Sequence, residues 1–344
     1  MTGPFGALVS VAALTVVLGG SAPQVLFRIA DPRIDEASGI AVGIASPGVV
    51  YVQNDSGDSA RFFALDAHTG RTRATYEVPG ATNVDWEDIA VARDRRGVPS
   101  VWLADIGDND GTRSEIRVYR VDEPRAGATT TAPPEVWRLQ YPGGPVDAES
   151  LAVAPGGAAY VLTKSIFGAT DVYAVPSRAD PARVQVLRRI GEIDFRPTGT
   201  PGGPNVVGQV TATGAALSRD GSVLAVRTYT DAYVWPVRNG DVARAIKARP
   251  ARVALPRQPQ GEGIAVDGTR LLLDSEQTGS AVFAVALPRL PTGSSTPRPT
   301  TTPNASPWRH DVRSFPWPAV LGLIAAALVA AVLLARRVSR RLGS

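Results

Sequence analysis

The chain has 344 residues, 44% hydrophobic and 20% charged, which excludes a disordered polyelectrolyte and leaves ample material for a core. The net charge of +4 is matched by Arg336, Arg337, Arg340 and Arg341 at the C-terminus, so the rest of the chain is close to neutral and no nucleic-acid partner is expected. Cysteine is absent, which excludes disulfides and thiol chemistry, and histidine occurs only as His68 and His310, which argues against a histidine-built zinc site or a Ser-His-Asp triad.

Taken in chain order, residues 1–22 read as a signal peptide or N-terminal hydrophobic segment: Phe5 to Leu18 is apolar and is followed by Gly19, Gly20, Ser21 and Ala22. Residues 23–287 form the body. A phrase recurs there, as Ser38-Gly-Ile-Ala-Val42, Glu87-Asp-Ile-Ala-Val91, Glu149-Ser-Leu-Ala-Val153, Thr213-Gly-Ala-Ala-Leu217 and Glu262-Gly-Ile-Ala-Val266. Each copy opens a module of short apolar runs bounded by Gly, Pro, Asp or Asn, the pattern of strands joined by turns. In the third module the last strand is expected at Val184 to Ile190. The fifth module lacks a fourth strand, which Gln24 to Ile29 can supply from the other end of the chain. The fold expected is all-β, a five-bladed β-propeller of four-stranded antiparallel blades. A six-bladed propeller, with a degenerate blade in the loop Asp194 to Gly208, is the alternative.

Residues 288–316 are rich in Pro, Ser and Thr and read as a stiff linker. Residues 317–335 carry no charge over 19 positions, enough to cross a bilayer as a transmembrane helix, and the arginines of the 336–344 tail place that end in the cytoplasm. The expectation is a single-pass protein of the cell membrane with its propeller extracellular.

In an antiparallel blade the innermost strand begins at the end where the second strand finishes. Asn54-Asp-Ser-Gly-Asp58, Asp105-Ile-Gly-Asp-Asn109, Thr163-Lys164, Arg227-Thr228 and Asp274-Ser-Glu276 should therefore meet Asp85, Glu87, Asp88, Asp147, Glu149 and Glu262 on one rim of the central channel. Asp55, Asp58, Asp105, Asp108 and Asn109 are the candidate metal ligands, because the repeated Asp-x-Gly-Asp lets two carboxylates fold onto one point, a geometry suited to Ca²⁺. Glu87, Glu149, Lys164, Arg227, Glu262 and Glu276 are the candidate ligand-binding residues. Local turn hydrogen bonding competes as an explanation for the acidic residues, and ion pairing for Lys164 and Arg227. Trp86, Trp102, Trp137 and Trp235 fall in or beside strands and are expected in the core, with Trp86 the one candidate for an aromatic platform at the rim.

The segments Asn54-Asp-Ser-Gly-Asp58, Asp85-Trp-Glu-Asp-Ile89, Asp105-Ile-Gly-Asp-Asn109, Asp147-Ala-Glu149 and Gly261-Glu-Gly263 resemble those of uncharacterised exported bacterial β-propeller proteins, over residues 24 to 287. More distantly, Glu262-Gly-Ile-Ala265 followed by Asp274-Ser-Glu276 looks like the phytase-like, or esterase-like, propeller domains. That second resemblance implies Ca²⁺ and an anionic ester as candidates. Two functions stay open: a module that binds a ligand or protein through its acidic rim with a cation bound there, or a calcium-dependent phosphoesterase or carboxylate-based hydrolase.

Overall fold

A computed structural model describes residues 22–290 apart from Ala126. The signal-peptide, transmembrane and tail segments expected from the sequence, and all of the linker after 290, lie outside the described residues. Among the described residues no helix is long and apolar enough to cross a membrane.

The chain enters along β1 (Gln24–Arg28) and then lays down sheets in order. Blade one is β2 (Ala37–Val42), β3 (Val49–Asn54), β4 (Arg61–Asp66) and β5 (Thr72–Glu77); blade two is β6 (Trp86–Arg93), β7 (Pro99–Asp105), β8 (Ile116–Asp122) and β9 (Glu135–Gln140). Blade three contains β10 (Ala148–Val153), β11 (Ala159–Thr163) and β12 (Ala169–Ala174). Its fourth strand is not Val184 to Ile190 as expected. That stretch divides: β13 (Val184–Val186) adds in parallel to the outer edge of blade two, and β14 (Arg188–Asp194) completes blade three. The loop that follows holds a single turn of helix, α1 (Asn205–Gly208), and no strand, so the blade count is five.

Blade four is β15 (Ala212–Leu217), β16 (Val223–Thr228), β17 (Asp231–Pro236) and, after the short α2 (Val242–Ala245), β18 (Ala251–Ala254). Blade five is β19 (Ile264–Asp267), β20 (Arg270–Leu273) and β21 (Ala281–Ala286), with β1 as its outer strand. The innermost strands touch in the order β2, β6, β10, β15, β19 and back to β2, which closes the ring and removes the exposed inner edges of an open stack.

Period-two alternation explains why these runs are apolar on both faces. Val49 and Tyr51 of β3 pack toward blade two, whereas Val50 and Val52 pack toward blade five. Each pair of neighbouring blades thus shares its own core, and the large anchors are distributed among them: Phe62 and Trp86 between blades one and two, Trp102 and Trp137 between two and three, Phe195 and Trp235 between three and four. Trp86 is fully buried and donates its indole N–H to Thr82 O at 2.8 Å, so it offers no platform at the rim.

The recurring phrase has a structural meaning. In four blades the pairing of the inner strand slips by one residue at its start, between Ala37 and Gly39, Trp86 and Asp88, Ala148 and Ser150, and Ala212 and Gly214. The first residue of the phrase, Ser38, Glu87, Glu149 or Thr213, is the bulged one, and a bulge re-aims its side chain away from the sheet.

Candidate functional site

The four bulges sit at one end of the channel, and the polar groups there form two layers. Deepest is Asp88, fully buried, whose carboxylate accepts from Ile89 N at 2.8 Å, from Leu151 N of blade three at 2.7 Å and from Ala215 N of blade four at 3.3 Å. It belongs to the axis of the ring and joins three blades; it does not face the rim as expected. Ser38 donates to Glu87 O at 2.8 Å and Thr213 to Glu262 O at 3.0 Å, so two further bulged side chains tie neighbouring blades together.

At the same depth the second strands carry polar side chains where the phrase has glycine. Gln53 pairs with Gly39 and Arg227 with Gly214, while Asp274 accepts from Gly263 N at 2.6 Å. Arg227 is 0% exposed and donates to Gly263 O at 2.7 Å, Asp274 O at 2.9 Å and Gln258 Oε1 at 2.7 Å. Burial pulls its guanidinium down to about 10, with Asp274 and Glu262 opposing. Arg227 was expected on the rim. It is instead an internal strut between blades four and five, seated in space that exists because residue 261 is glycine: a Cβ there would lie 1.7 Å from its Nη2.

Above this layer lies an acidic basin. Two groups of three carboxylates come within 4.8 Å of one another, Asp55 with Asp85 and Glu87, and Glu87 with Asp147 and Glu149. Glu87 is common to both. Blade one contributes Asp55 from the end of its second strand, blade two Asp85 and Glu87, blade three Asp147 and Glu149. The last four come from the same pattern, Asp-x-Glu at the entrance to an inner strand, with the Glu on the bulge that re-aims its side chain. Gly107 makes the room: a Cβ on it would lie 2.2 Å from Glu87 Oε1 and 2.4 Å from Asp85 Oδ2.

Electrostatics in the basin follow from burial. Asp55 is pushed up to about 7, by burial first and then by the charge of Asp85, and Asp85 is raised as well. Burial, reinforced by Glu149, carries Glu87 far above the usual carboxylate range. Glu149 is pushed up to about 7 because burial outweighs Lys164, with which it pairs directly; Lys164 Nζ also lies 3.8 Å from Asp147 Oδ2. On the blade-five side Glu262 is raised well above its usual value by burial and then by Glu149 and Glu276, and its Oε2 is buried without a partner. Glu276 is raised by burial, and its carboxylate accepts from Gln260. A cluster of carboxylates that resists ionisation is stabilised by any cation it can surround with oxygen ligands.

Of the five expected metal ligands, only Asp55 belongs to either carboxylate group. Asp58 pairs with Arg61 at 2.8 Å and accepts from Asn54. Asp108 accepts from the N–H groups of Thr112 and Arg113 at 2.8 and 3.0 Å, closing its own loop, and its N–H donates to Asp147 Oδ1 at 2.8 Å. Asp105 is fully buried, pairs with Arg113 at 2.8 Å and accepts from Asp85 N at 3.1 Å. It orients Asp85 from behind. Asn109 is exposed and belongs to neither group. The other members of the two groups, Asp85, Glu87, Asp147 and Glu149, all lie among the residues expected at the rim, and the repeated Asp-x-Glu is the pattern that sets Asp85 and Asp147 apart.

Val84, Ile166, Phe167, Val206 and Val207 are exposed apolar residues, the first three in loops and the last two in α1, all in connections at the basin end of the strands.

No family model matches the chain, and no curated protein matches it. Among solved structures it is similar to the PQQ-bound form of aldose sugar dehydrogenase from Streptomyces coelicolor, at 14% sequence identity and a TM-score of 0.44, over 78% of this chain and 98% of that one. A likeness at this level says nothing about activity.

Proposed function

We propose that this chain is a membrane-anchored extracellular propeller whose acidic basin holds a divalent cation, Ca²⁺ by its all-oxygen ligand set, and presents it to a ligand or partner protein at the rim. The observation that carries this reading is the pair of carboxylate triads sharing Glu87. Packing these groups together in a buried place is costly unless positive charge compensates them, and Lys164 is the one basic side chain paired with either triad among the described residues. The Gly107 cradle supports it, since it leaves Glu87 and Asp85 free to converge.

Anchoring rests on the apolar run 317–335 and the arginines after it. A calcium-dependent phosphoesterase, the alternative, gains less support. It was favoured by two rim cations, and Arg227 spends its donors on internal carbonyls and Gln258. Thermal unfolding tests the cation. In the full-length protein stripped with chelator, added Ca²⁺ should raise the melting temperature, and the rise should vanish in Glu87→Gln. An equal rise in Glu87→Gln would move the ion elsewhere, and no rise in the wild type would remove the cation from the reading.

A further inference from the structure

We infer that the basin is a two-cation site in which the ammonium of Lys164 is the resident second cation: the native chain takes one divalent ion at Asp55, Asp85 and Glu87, and a chain without that ammonium takes another at Glu87, Asp147 and Glu149. The inference rests on the cation reading above and adds to it what sets the number of ions.

The two triads are alike in size and in how the chain supplies them. Each has three carboxylates whose oxygens lie within 4.8 Å, and each contains one complete Asp-x-Glu, from blade two in the first and blade three in the second. The first has two Asp and one Glu, the second one Asp and two Glu and is the more buried, but the difference that matters is charge. Lys164 pairs directly with Glu149 and approaches Asp147 to 3.8 Å, so a positive charge already stands among the ligands of the second triad. Nothing comparable stands in the first: neither Asp55, Asp85 nor Glu87 pairs with a basic side chain among the described residues. Arg113, whose charge acts on Asp85, is turned to Asp105 and to Gly107 O.

A second observation, independent of the triads, points to a ligand beside the lysine. Glu262 is 2% exposed, its Oε2 has no hydrogen-bond partner among the described residues, and it lies within electrostatic reach of Glu149 and Lys164. A buried carboxylate oxygen without a partner is costly unless something in the basin answers it. One tethered ammonium cannot supply more than three hydrogen bonds, and it brings a single charge to a region of four carboxylates counting Glu262. A divalent ion with six to eight oxygen ligands satisfies more of them, so removal of the lysine exposes a site that is already built.

The test is calorimetric titration of Ca²⁺ into chelator-stripped full-length wild type, Lys164→Ala and Lys164→Arg. The inference expects one ion per chain in the wild type, two in Lys164→Ala and one in Lys164→Arg, which restores the charge. The turn survives the substitution, because the backbone N–H of Lys164 holds Asp147 O at 2.9 Å. Lys164→Met, which keeps the apolar stem without the charge, is the second neutral variant and should also bind two. One ion in folded Lys164→Ala and Lys164→Met alike overturns the inference while leaving the cation reading intact. No ion in the wild type and one in Lys164→Ala likewise overturns the inference, because it removes the first triad as a metal site. No ion in any variant defeats both.

Discussion

The two ends of the channel are made by the same five strands and could hardly differ more. At one end, the bulged residues and their neighbours bring Glu87, Glu149, Asp55, Asp85 and Asp147 into a basin. At the other, Val42, Val91, Val153, Leu217 and Val266 of the same strands line a cavity of about 310 Å³, apolar but for Arg219 and Asp267. Arg219 crosses that mouth to donate to Gly43 O at 2.9 Å. The contrast teaches where the fold places its cost. Apolar residues at one end hold the ring together by burial, and the other end gathers charge that burial disfavours, which is the usual mark of a site kept for binding. Asp88 lies on the axis, and its hydrogen bonds belong to the structural half.

Breaking Asp88 should therefore have the largest effect. Asp88→Ala leaves three backbone N–H groups in blades two, three and four without their acceptor, and should cost about 3–5 kcal/mol in chemical denaturation, enough to prevent folding of a marginal ring. A loss below about 1 kcal/mol would contradict the division between axis and basin.

Gly107→Ala should do the reverse. Its Cβ would meet the carboxylate ends of Glu87 and Asp85, which can swing away, so stability should change little while Ca²⁺ affinity falls roughly 10- to 100-fold. Equilibrium dialysis measures that loss. Unchanged affinity would mean the first triad does not hold the ion.

Protons compete with the cation, which sharpens the comparison further. Asp55 and Glu149 titrate near 7 in the fold, against about 4 in an unfolded chain. Raised carboxylates favour the fold most below pH ~4, and that contribution is lost as the pH rises through about 7. The chelated protein should accordingly melt at a lower temperature at pH 8 than at pH 5, provided the other groups contribute less. Ca²⁺ should abolish or reverse the difference, and its affinity should rise over the same interval as the protons leave. A melting temperature that rises with pH in chelator would count against carboxylate crowding in the basin.

The smallest effect is expected at the rim. Phe167 is 76% exposed, so Phe167→Ser should change stability by less than about 0.5 kcal/mol and leave Ca²⁺ binding untouched. Any loss it causes in the binding of a partner protein, read by surface plasmon resonance once one is in hand, would then report on docking alone.

Much of this was legible in the chain. The phrase repeats because every inner strand has an apolar run to bury and four of the five bulge at its first residue, and the strand-completing role of Gln24–Arg28 follows from the missing fourth strand of blade five. The rim was legible for the same reason, since strand direction alone brings Asp85, Glu87, Asp147 and Glu149 to one end. What escaped was side-chain partnership. Asp58 and Asp108 look like Asp55 in sequence, yet each is taken up by a basic side chain or backbone N–H a few residues away. Arg227 reads as a surface cation until one sees that Gly261 leaves a buried slot for it and that Gly263 O accepts from it. The third blade's outer strand was misplaced because Arg188–Asp194 is largely polar, while the neighbouring Val184–Val186 has the composition of a strand and serves as one in the blade before.

Anomalous diffraction from crystals grown with Mn²⁺ in place of Ca²⁺ would locate an ion held between Asp55, Asp85 and Glu87. The expected result is an anomalous peak within coordination distance of those three carboxylates, on the side of Glu87 away from Lys164. A well-ordered basin with no peak, or a peak at the Asp58 or Asp108 turns instead, would contradict it.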